Sequence, residues 1–215
     1  MSQDNATPSP LDALLQQADA CYAQDDHIGA IAPLDEALQL TDRHPMILRA
    51  LGTQLFLAGR YTWSRTLFQE LTHAQPENVE DHIHHAIASY HDGDADTCAA
   101  ALQQALALDP THADALRLTA DLDVAEGRYE IASQKYERIA EAHGISVQSL
   151  HALAYCQFKT GDLTRSENTY EQLLEFNAED DLARDNLQAV RTTMAQQGNN
   201  VATVENKPSE TLATP

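Results

Sequence analysis

Apolar and small residues recur along this chain with a period of 34 residues. Each period has a turn residue, a small residue seven positions before it, a small residue five positions after it and a large apolar residue nine positions after it. The turn residues are Asp25, Gly59, Gly93, Gly127 and Gly161; the small residues are Ala18, Gly52, Ala86, Ala120 and Ala154 before the turns and Ala30, Ser64, Cys98, Ala132 and Ser166 after them; the large residues are Leu34, Phe68, Leu102, Tyr136 and Tyr170. Apolar residues between these marks follow helical spacing, so each period predicts two amphipathic helices joined by a turn.

The small residues indicate how the two helices of a pair meet. Antiparallel helices approach closely only where neither carries a bulky side chain, so that the ridges of one fit the grooves of the other. A single pair is too small to bury its own apolar face, and stacking on neighbouring pairs supplies the missing burial. The pattern therefore predicts an all-α protein built as a linear array.

The second period carries a motif that can be compared with known repeats. It reads Leu48-x-x-Leu51-Gly52, then Gly59-x-Tyr61-x-x-Ser64-x-x-x-Phe68, then Pro76. This motif resembles the tetratricopeptide repeat (TPR) family, and the resemblance covers about residues 11–178. It implies a right-handed α-solenoid of helix-turn-helix repeats, in which the first helices of successive repeats line a concave groove that holds partner peptides.

The period also sets the predicted domain boundaries. The sequence predicts a TPR domain over residues 10–197, a disordered segment at 1–9 and, from its Asn-, Thr-, Ser- and Pro-rich composition, a disordered tail at 198–215. Within the domain lie five repeats and an amphipathic segment predicted to be a capping helix; they span 11–44, 45–78, 79–112, 113–146, 147–180 and 181–197.

The start of the array carries three local signals. Ser9, Pro10 and Asp12 match an N-cap, a proline at the first helical position and an acid three residues after the cap, which predicts a helix start. The first repeat has Asp25 where the others have glycine. It also has Pro33 within its second helix, where the missing N–H should kink that helix or delay its start.

The charge of the chain limits its partners. There are 33 acidic and 13 basic residues, a net charge of −20, which argues against nucleic acid because the phosphate backbone binds cationic proteins. Residues 66–116 contain no lysine or arginine. That stretch is either a solvated acidic face that favours solubility or a region that attracts a basic partner.

The remaining sequence features predict a cytoplasmic protein that does not insert into a membrane. No basic and apolar leader opens the chain, and no apolar run is long enough to span a bilayer. Cys21, Cys98 and Cys156 lie in predicted helices without a CxxC spacing, which favours buried free thiols.

If the TPR resemblance holds, positions three, six and ten residues before each turn face the groove. The predicted groove residues are Tyr22, Arg49, Phe56, Ile83, Ile87, Tyr90, Arg117, His151, Tyr155 and Phe158. They suggest a groove with aromatic positions, two isolated arginines and acidic spots, suited to a peptide with apolar anchors. The alternative is that the aromatic residues only pack between neighbouring repeats. Capture of a chaperone C-terminal carboxylate is excluded, because Leu15 and Asp19 stand where that subtype carries lysine and asparagine.

Two local clusters allow a metal-binding interpretation. His82 and His85 stand where other repeats mostly have leucine, and with Cys98 they offer three possible zinc ligands without a fourth. The alternative is polar substitution in a locally loose repeat; if these histidines are buried and neutral, acid should destabilise the third repeat. Residues 92–96 alternate acids as calcium loops do but lack the required glycine and glutamate, so Asp94 or Asp96 is expected to cap a helix instead.

No catalytic motif occurs in the sequence, so an enzyme is not expected, nor is a cofactor or a metal. The leading prediction is a non-enzymatic adaptor or scaffold that binds a protein or peptide with apolar anchors, with or without basic residues. Two alternatives are an acidic TPR chaperone of a bacterial secretion system and a detached TPR helper of a transferase. Self-association through the irregular first repeat is a further possibility.

Overall fold

The computed structural model describes residues 8–144 and 146–205, with side chains through residue 197. Within these residues the chain forms eleven α-helices, none of which is long and apolar enough to cross a bilayer. They are α1 (Pro10–Tyr22), α2 (Ile31–Leu40), α3 (Pro45–Leu57), α4 (Tyr61–Ala74), α5 (Val79–His91), α6 (Ala95–Leu108), α7 (Ala113–Ala125), α8 (Tyr129–His143), α9 (Val147–Lys159), α10 (Leu163–Phe176) and α11 (Asp181–Glu205). The predicted all-α class is confirmed, and α1 to α10 form the five expected helix pairs.

All five predicted turn residues adopt a left-handed backbone conformation. The φ angles of the four glycines lie between 72° and 84°, and the φ angle of Asp25 is 54°. Glycine reaches this region without a steric penalty, whereas an L-residue with a Cβ atom pays about 1–2 kcal/mol. The first repeat thus makes the same turn as the others with a less suitable residue.

Replacing Asp25 by glycine should therefore raise the free energy of unfolding by about 0.5–1 kcal/mol, as measured by urea unfolding. The matched opposite change is Gly93→Ala, at a φ of 84° and with no atom within 4 Å of the added Cβ, so only the backbone is strained. That variant should lose about 1 kcal/mol. A loss of stability in Asp25→Gly would contradict the assignment of strain to this turn.

Pro33 delays the start of α2, as one of the two sequence-based alternatives expected. The second helices of the other repeats start two residues after their turns, but α2 starts at Ile31, six residues after Asp25. Pro33 is then the third residue of the helix, where a backbone N–H would have no intrahelical partner in any case. The intervening loop is held by Asp26, whose Oδ1 accepts the Gly29 N–H at 2.8 Å.

Small residues at the crossing points let the paired helices touch. The Ser64 hydroxyl donates to the Gly52 carbonyl at 2.8 Å, and Ser166 does the same to Ala154 at 2.8 Å. A Cβ atom on Gly52 would lie 3.0 Å from the ring of Phe68. A small side chain at these positions therefore allows both close packing and, where it is serine, a hydrogen bond between the helices.

The chain divides into two compact units, residues 1–115 and 116–215, and each has its own core. The core of the first unit includes Leu34, Leu48, Leu51, Phe68 and Leu71, and that of the second includes Leu150, Tyr170, Leu173, Leu187 and Val190. In the second unit α11 packs on α10, so the predicted capping segment covers the apolar face of the last repeat.

The last helix differs from the sequence-based boundary at residue 197. Backbone hydrogen bonding continues to Glu205, so residues 198–205, assigned to a disordered tail from their composition, are helical. The physical reason is that the first proline after the predicted end is Pro208, so every residue up to Glu205 keeps its backbone N–H. Of the other residues predicted to be disordered, Ser9 is the N-cap of α1, and residues 1–7 and 206–215 lie outside the described residues.

The helix starts agree with the local sequence signals. The Ser9 hydroxyl accepts the Asp12 N–H at 3.1 Å, and the Asp12 carboxylate accepts the Ser9 N–H at 3.2 Å, which forms a capping box. Asp94 caps α6 by accepting the Thr97 N–H at 3.0 Å. The acids of the 92–96 turn thus act as helix caps and ion-pair partners.

Candidate functional site

The ten predicted groove residues differ widely in exposure. Tyr90 and Tyr155 are exposed, at 55% and 39% of their surface. Ile83 is only 3% exposed, so its prediction as a groove contact is corrected: it lies in the interior because α5 packs against both α4 and α6. The other seven are partly buried, namely Tyr22, Arg49, Phe56, Ile87, Arg117, His151 and Phe158.

Three of the predicted aromatic positions are attached to the cores. Tyr22 and Phe56 pack against the core of the first unit, and Phe158 packs against that of the second. The Tyr22 hydroxyl is buried without a hydrogen-bond partner among the described residues, and burial raises the pKa of this phenol. For these side chains the packing interpretation accounts for much of their surface.

The two arginines predicted to be isolated are both paired. Arg49 donates from Nε and Nη2 to the two carboxylate oxygens of Asp81, at 2.7 Å each, and the Asp81 side chain is fully buried. Arg49 also donates to Gln75 at 3.1 Å. Arg117 pairs with Asp121 at 3.3 Å, one helical turn away. Neither guanidinium is a free anion site, because each already faces a carboxylate.

Four rings meet in the first unit, where α3 ends, α4 begins and α5 ends. We call Phe56, Tyr61, Tyr90 and His91 the aromatic cluster. The His91 ring stacks on Tyr61 at 5.0 Å between centroids, and it makes edge-to-face contacts with Phe56 at 5.2 Å and with Tyr90 at 5.5 Å. Sequence reasoning found Phe56 and Tyr90 but missed Tyr61 and His91, which flank turns. The sequence signal that could have found them is an aromatic ring two residues after the turn at Gly59 and another two residues before the turn at Gly93.

A cavity of about 370 Å³ lies in the first unit between α1 and α3. Its lining, which we call the N-terminal pocket, is largely apolar and includes the predicted groove residue Tyr22. Leu15, Met46 and Ala50 contribute to its walls, and Met46 is 70% exposed. The pocket offers an exposed apolar contact surface on the first helices of the first two repeats.

A second cavity, of about 300 Å³, lies in the second unit. We call it the C-terminal pocket; it is lined by residues of α7 to α11, including Asp121, Val124, Tyr136, His151, Tyr155 and Leu182. Two of these, His151 and Tyr155, are predicted groove residues, and Asp121 and Val124 occupy groove positions of the fourth repeat. The first helices of neighbouring repeats therefore do line a common hollow in this unit.

Hydrogen bonds fix the polar side chains of the C-terminal pocket. The Tyr136 hydroxyl donates to Asp121 at 2.5 Å, and His151 Nε2 lies 2.9 Å from Asp180. Burial and the bond to Asp121 raise the pKa of Tyr136, while the Ala183 N–H and His151 lower the pKa of Asp180. Tyr136 is thus a neutral donor and Asp180 an ionised acceptor at neutral pH, so both bonds are kept.

Tyr155 stands at the edge of this pocket within a cation–π arrangement. Its ring meets that of Tyr129 edge-on at 6.0 Å between centroids. The ammonium of Lys159 lies 5.8 Å from the Tyr129 centroid and 5.5 Å from the Tyr155 centroid. Such a geometry favours a cation over the ring faces.

The histidines of α5 do not form a metal site. Across the described residues, no group of three or more His, Cys, Asp or Glu side chains is placed to hold a metal ion, so the zinc hypothesis for His82, His85 and Cys98 is not supported. His82 Nε2 lies 2.9 Å from the Pro76 carbonyl, whereas His85 Nε2 is buried without a partner. Burial raises the pKa of the Cys98 thiol, as expected for a packed cysteine.

Comparison with known proteins supports the repeat assignment. A sequence profile described as Tetratricopeptide repeat matches residues 118–181. A tetratricopeptide repeat protein from Parabacteroides merdae is similar in structure, with a TM-score of 0.75 at 18% identity, over 96% of this chain and 82% of that one. MamA from Desulfovibrio magneticus has a TM-score of 0.71 at 14% identity, over 82% and 99% of the two chains. Pseudomonas aeruginosa pilF has a TM-score of 0.68 at 20% identity, over 85% and 83%. No curated protein matches the chain in sequence.

The fold and the comparisons lead to one assignment. Helix pairs with a 34-residue period, left-handed turns and small residues at the crossings match the repeat profile and the solved TPR structures. Proteins of this class bind other proteins and are generally non-enzymatic. Residues 118–181 match the tetratricopeptide repeat profile, and the described part of the chain has the fold of a solved tetratricopeptide repeat protein.

Proposed function

We propose that this protein is a non-enzymatic adaptor or scaffold that holds a segment of a partner protein against the first helices of its repeats. The observation that carries the proposal is the C-terminal pocket, to which α7, α9 and α11 all contribute. A hollow built from several first helices presents a continuous surface to an extended or helical peptide.

The chemistry of the pocket suits an apolar or aromatic anchor. Leu182 and Tyr155 are exposed at its edge, while the buried rings of Tyr136 and Tyr170 form part of its wall. Tyrosine offers a large contact area for the loss of only two side-chain torsions. Asp121 and His151 add fixed polar groups that would set the orientation of a bound segment.

The proposal is tested by replacing Tyr155 with serine and comparing the proteins that co-purify from native cells. We expect one partner to be retained by the wild type and lost by Tyr155→Ser, with a 5- to 30-fold weaker affinity in a binding titration, typical of about 1–2 kcal/mol for an interface aromatic. Phe56 and Phe158 are unsuitable for this test because both pack against a core.

The matched control is Trp63→Ser. Trp63 is an aromatic residue of α4 that is 69% exposed and lies outside the C-terminal pocket. Both variants should keep the helicity and unfolding midpoint of the wild type. A partner that binds Tyr155→Ser as tightly as the wild type argues against the pocket. The identity of the partner then separates the alternatives, since an exported protein would indicate a secretion chaperone and a transferase would indicate a helper subunit.

A further inference from the structure

In both units a tyrosine ring meets a residue at the same position of the following repeat. Tyr61 and Tyr129 each stand two residues after a turn, at the start of a second helix. His91 and Lys159 each stand two residues before the turn of the following repeat. In both units this residue, two positions before the turn, lies over the tyrosine ring of the preceding repeat. The repeats thus bring the same two positions together twice.

In the second unit this arrangement holds a cation. The Lys159 ammonium lies within 6 Å of both the Tyr129 and the Tyr155 centroid. That distance is within the range in which the ring quadrupole attracts a positive charge. A tyrosine ring at this repeat position can therefore accommodate a positively charged side chain.

In the first unit the equivalent position supplies a ring instead of an ammonium. His91 stacks on Tyr61 and meets Tyr90 edge-on, and Tyr90 remains 55% exposed. Among the side chains that the structure describes, Lys159 lies over the rings of the second unit, whereas no cation lies over a ring of the aromatic cluster. The exposed rings of Tyr90 and His91 are therefore accessible to a ligand.

The charge around the aromatic cluster favours a cationic ligand. Residues 1–115 contain 17 acidic residues, four arginines and no lysine. Arg65 of α4 is already outnumbered, because it faces Asp92 at 2.8 Å and Asp94 at 2.6 Å. A positive side chain arriving here would meet ring faces within a strongly negative field.

We propose that the aromatic cluster binds an arginine or lysine side chain of a partner segment. The cation would lie against the exposed ring of Tyr90 and the outer face of His91. This inference rests on the proposed adaptor function and adds to it the class of side chain that the first unit recognises. The partner segment would then carry a basic residue as well as the apolar anchor for the second unit.

The probe is the peptide acetyl-Gly-Arg-Gly-Arg-Gly-amide, titrated into the full-length isotopically labelled chain and followed by NMR. Its twin carries citrulline in place of arginine, which keeps the shape and removes the charge. We expect saturating shifts centred on Tyr61, Tyr90 and His91, with binding about three- to thirtyfold tighter for the arginine peptide. The lysine peptide should shift the same signals.

Two substitutions at one site separate ring chemistry from general attraction to an acidic protein. Tyr90→Phe keeps the ring and should keep binding, whereas Tyr90→Leu should lose it; Trp63→Leu is the control for loss of an exposed aromatic elsewhere. Equal binding of the citrulline twin, or full affinity in Tyr90→Leu, overturns the inference. In that case a partner still lost by Tyr155→Ser would leave the adaptor proposal standing. Conversely, if ring-dependent arginine binding holds but the partner binds Tyr155→Ser as tightly as the wild type, only the role of the C-terminal pocket is contradicted.

Discussion

Replacing Arg49 by methionine should lower the free energy of unfolding by about 3–5 kcal/mol in urea unfolding. Methionine keeps much of the length of the arginine side chain but removes both hydrogen bonds to Asp81, whose side chain has no exposed surface. The variant would leave a carboxylate in the interior without a counterion. A buried charge that loses its partner is among the most destabilising single changes in a protein.

Two controls define this prediction. Arg43→Met breaks the ion pair between Arg43 and Glu70, whose side chains are 51% and 36% exposed, respectively. Because this pair is exposed, the free energy of unfolding should fall by less than about 1 kcal/mol. The double variant Arg49→Met/Asp81→Leu removes both charges and should recover most of the lost stability, because apolar groups can replace a buried pair. Equal effects of Arg49→Met and Arg43→Met would show that the burial of Asp81 does not matter energetically.

The Arg49 result also bears on the groove. Repeat phase alone places Arg49 at a ligand-facing position, but its guanidinium connects α3 with α5 of the next repeat. A loss of partner binding in an Arg49 variant would therefore follow from loss of structure as readily as from loss of a contact. For that reason the binding tests use Tyr90 and Tyr155, which are exposed and belong to neither core cluster.

The sequence predicts the local geometry well because local chemistry determines it. A left-handed turn favours glycine, a helix crossing favours a small residue, and Ser9 with Asp12 favours a helix start; each of these signals lies within a few residues. Even the irregular Pro33 acts through one missing N–H. Helix pairs and their turns therefore follow from the 34-residue pattern.

The candidate site is harder to predict because it depends on contacts between repeats. Phase treats equivalent positions alike, yet Ile83 is buried while His151, at the same position of the fifth repeat, is only partly buried, since their neighbours differ. The partner of Arg49 lies 32 residues away on another helix. The aromatic cluster includes Tyr61 and His91 because two repeats meet there, which groove phase does not consider.

Acidification from pH 7.5 to 5 should lower the free energy of unfolding by roughly 2 kcal/mol through His85 alone. The side chain is 8% exposed and its Nε2 is buried without a partner. Burial, with further contributions from His82, Arg65 and His73 and against the attraction of Asp94, lowers the pKa of His85 from 6.5 to about 4. Between these two values the unfolded chain binds the proton and the folded chain does not, so stability falls as pH decreases through this window.

The test is urea unfolding at both pH values for the wild type, His85→Leu and His73→Gln. Leucine is the residue at this phase in the second and fifth repeats, as Leu51 and Leu153, so His85→Leu should fold and lose this part of the pH dependence. His73 is exposed and contributes less to the His85 shift than burial, His82 and Arg65 do, so His73→Gln should keep most of the pH dependence. An identical decline in all three proteins would assign the acid sensitivity elsewhere. The acid sensitivity expected in the third repeat is thus assigned to His85, whose Nε2 is buried without a partner.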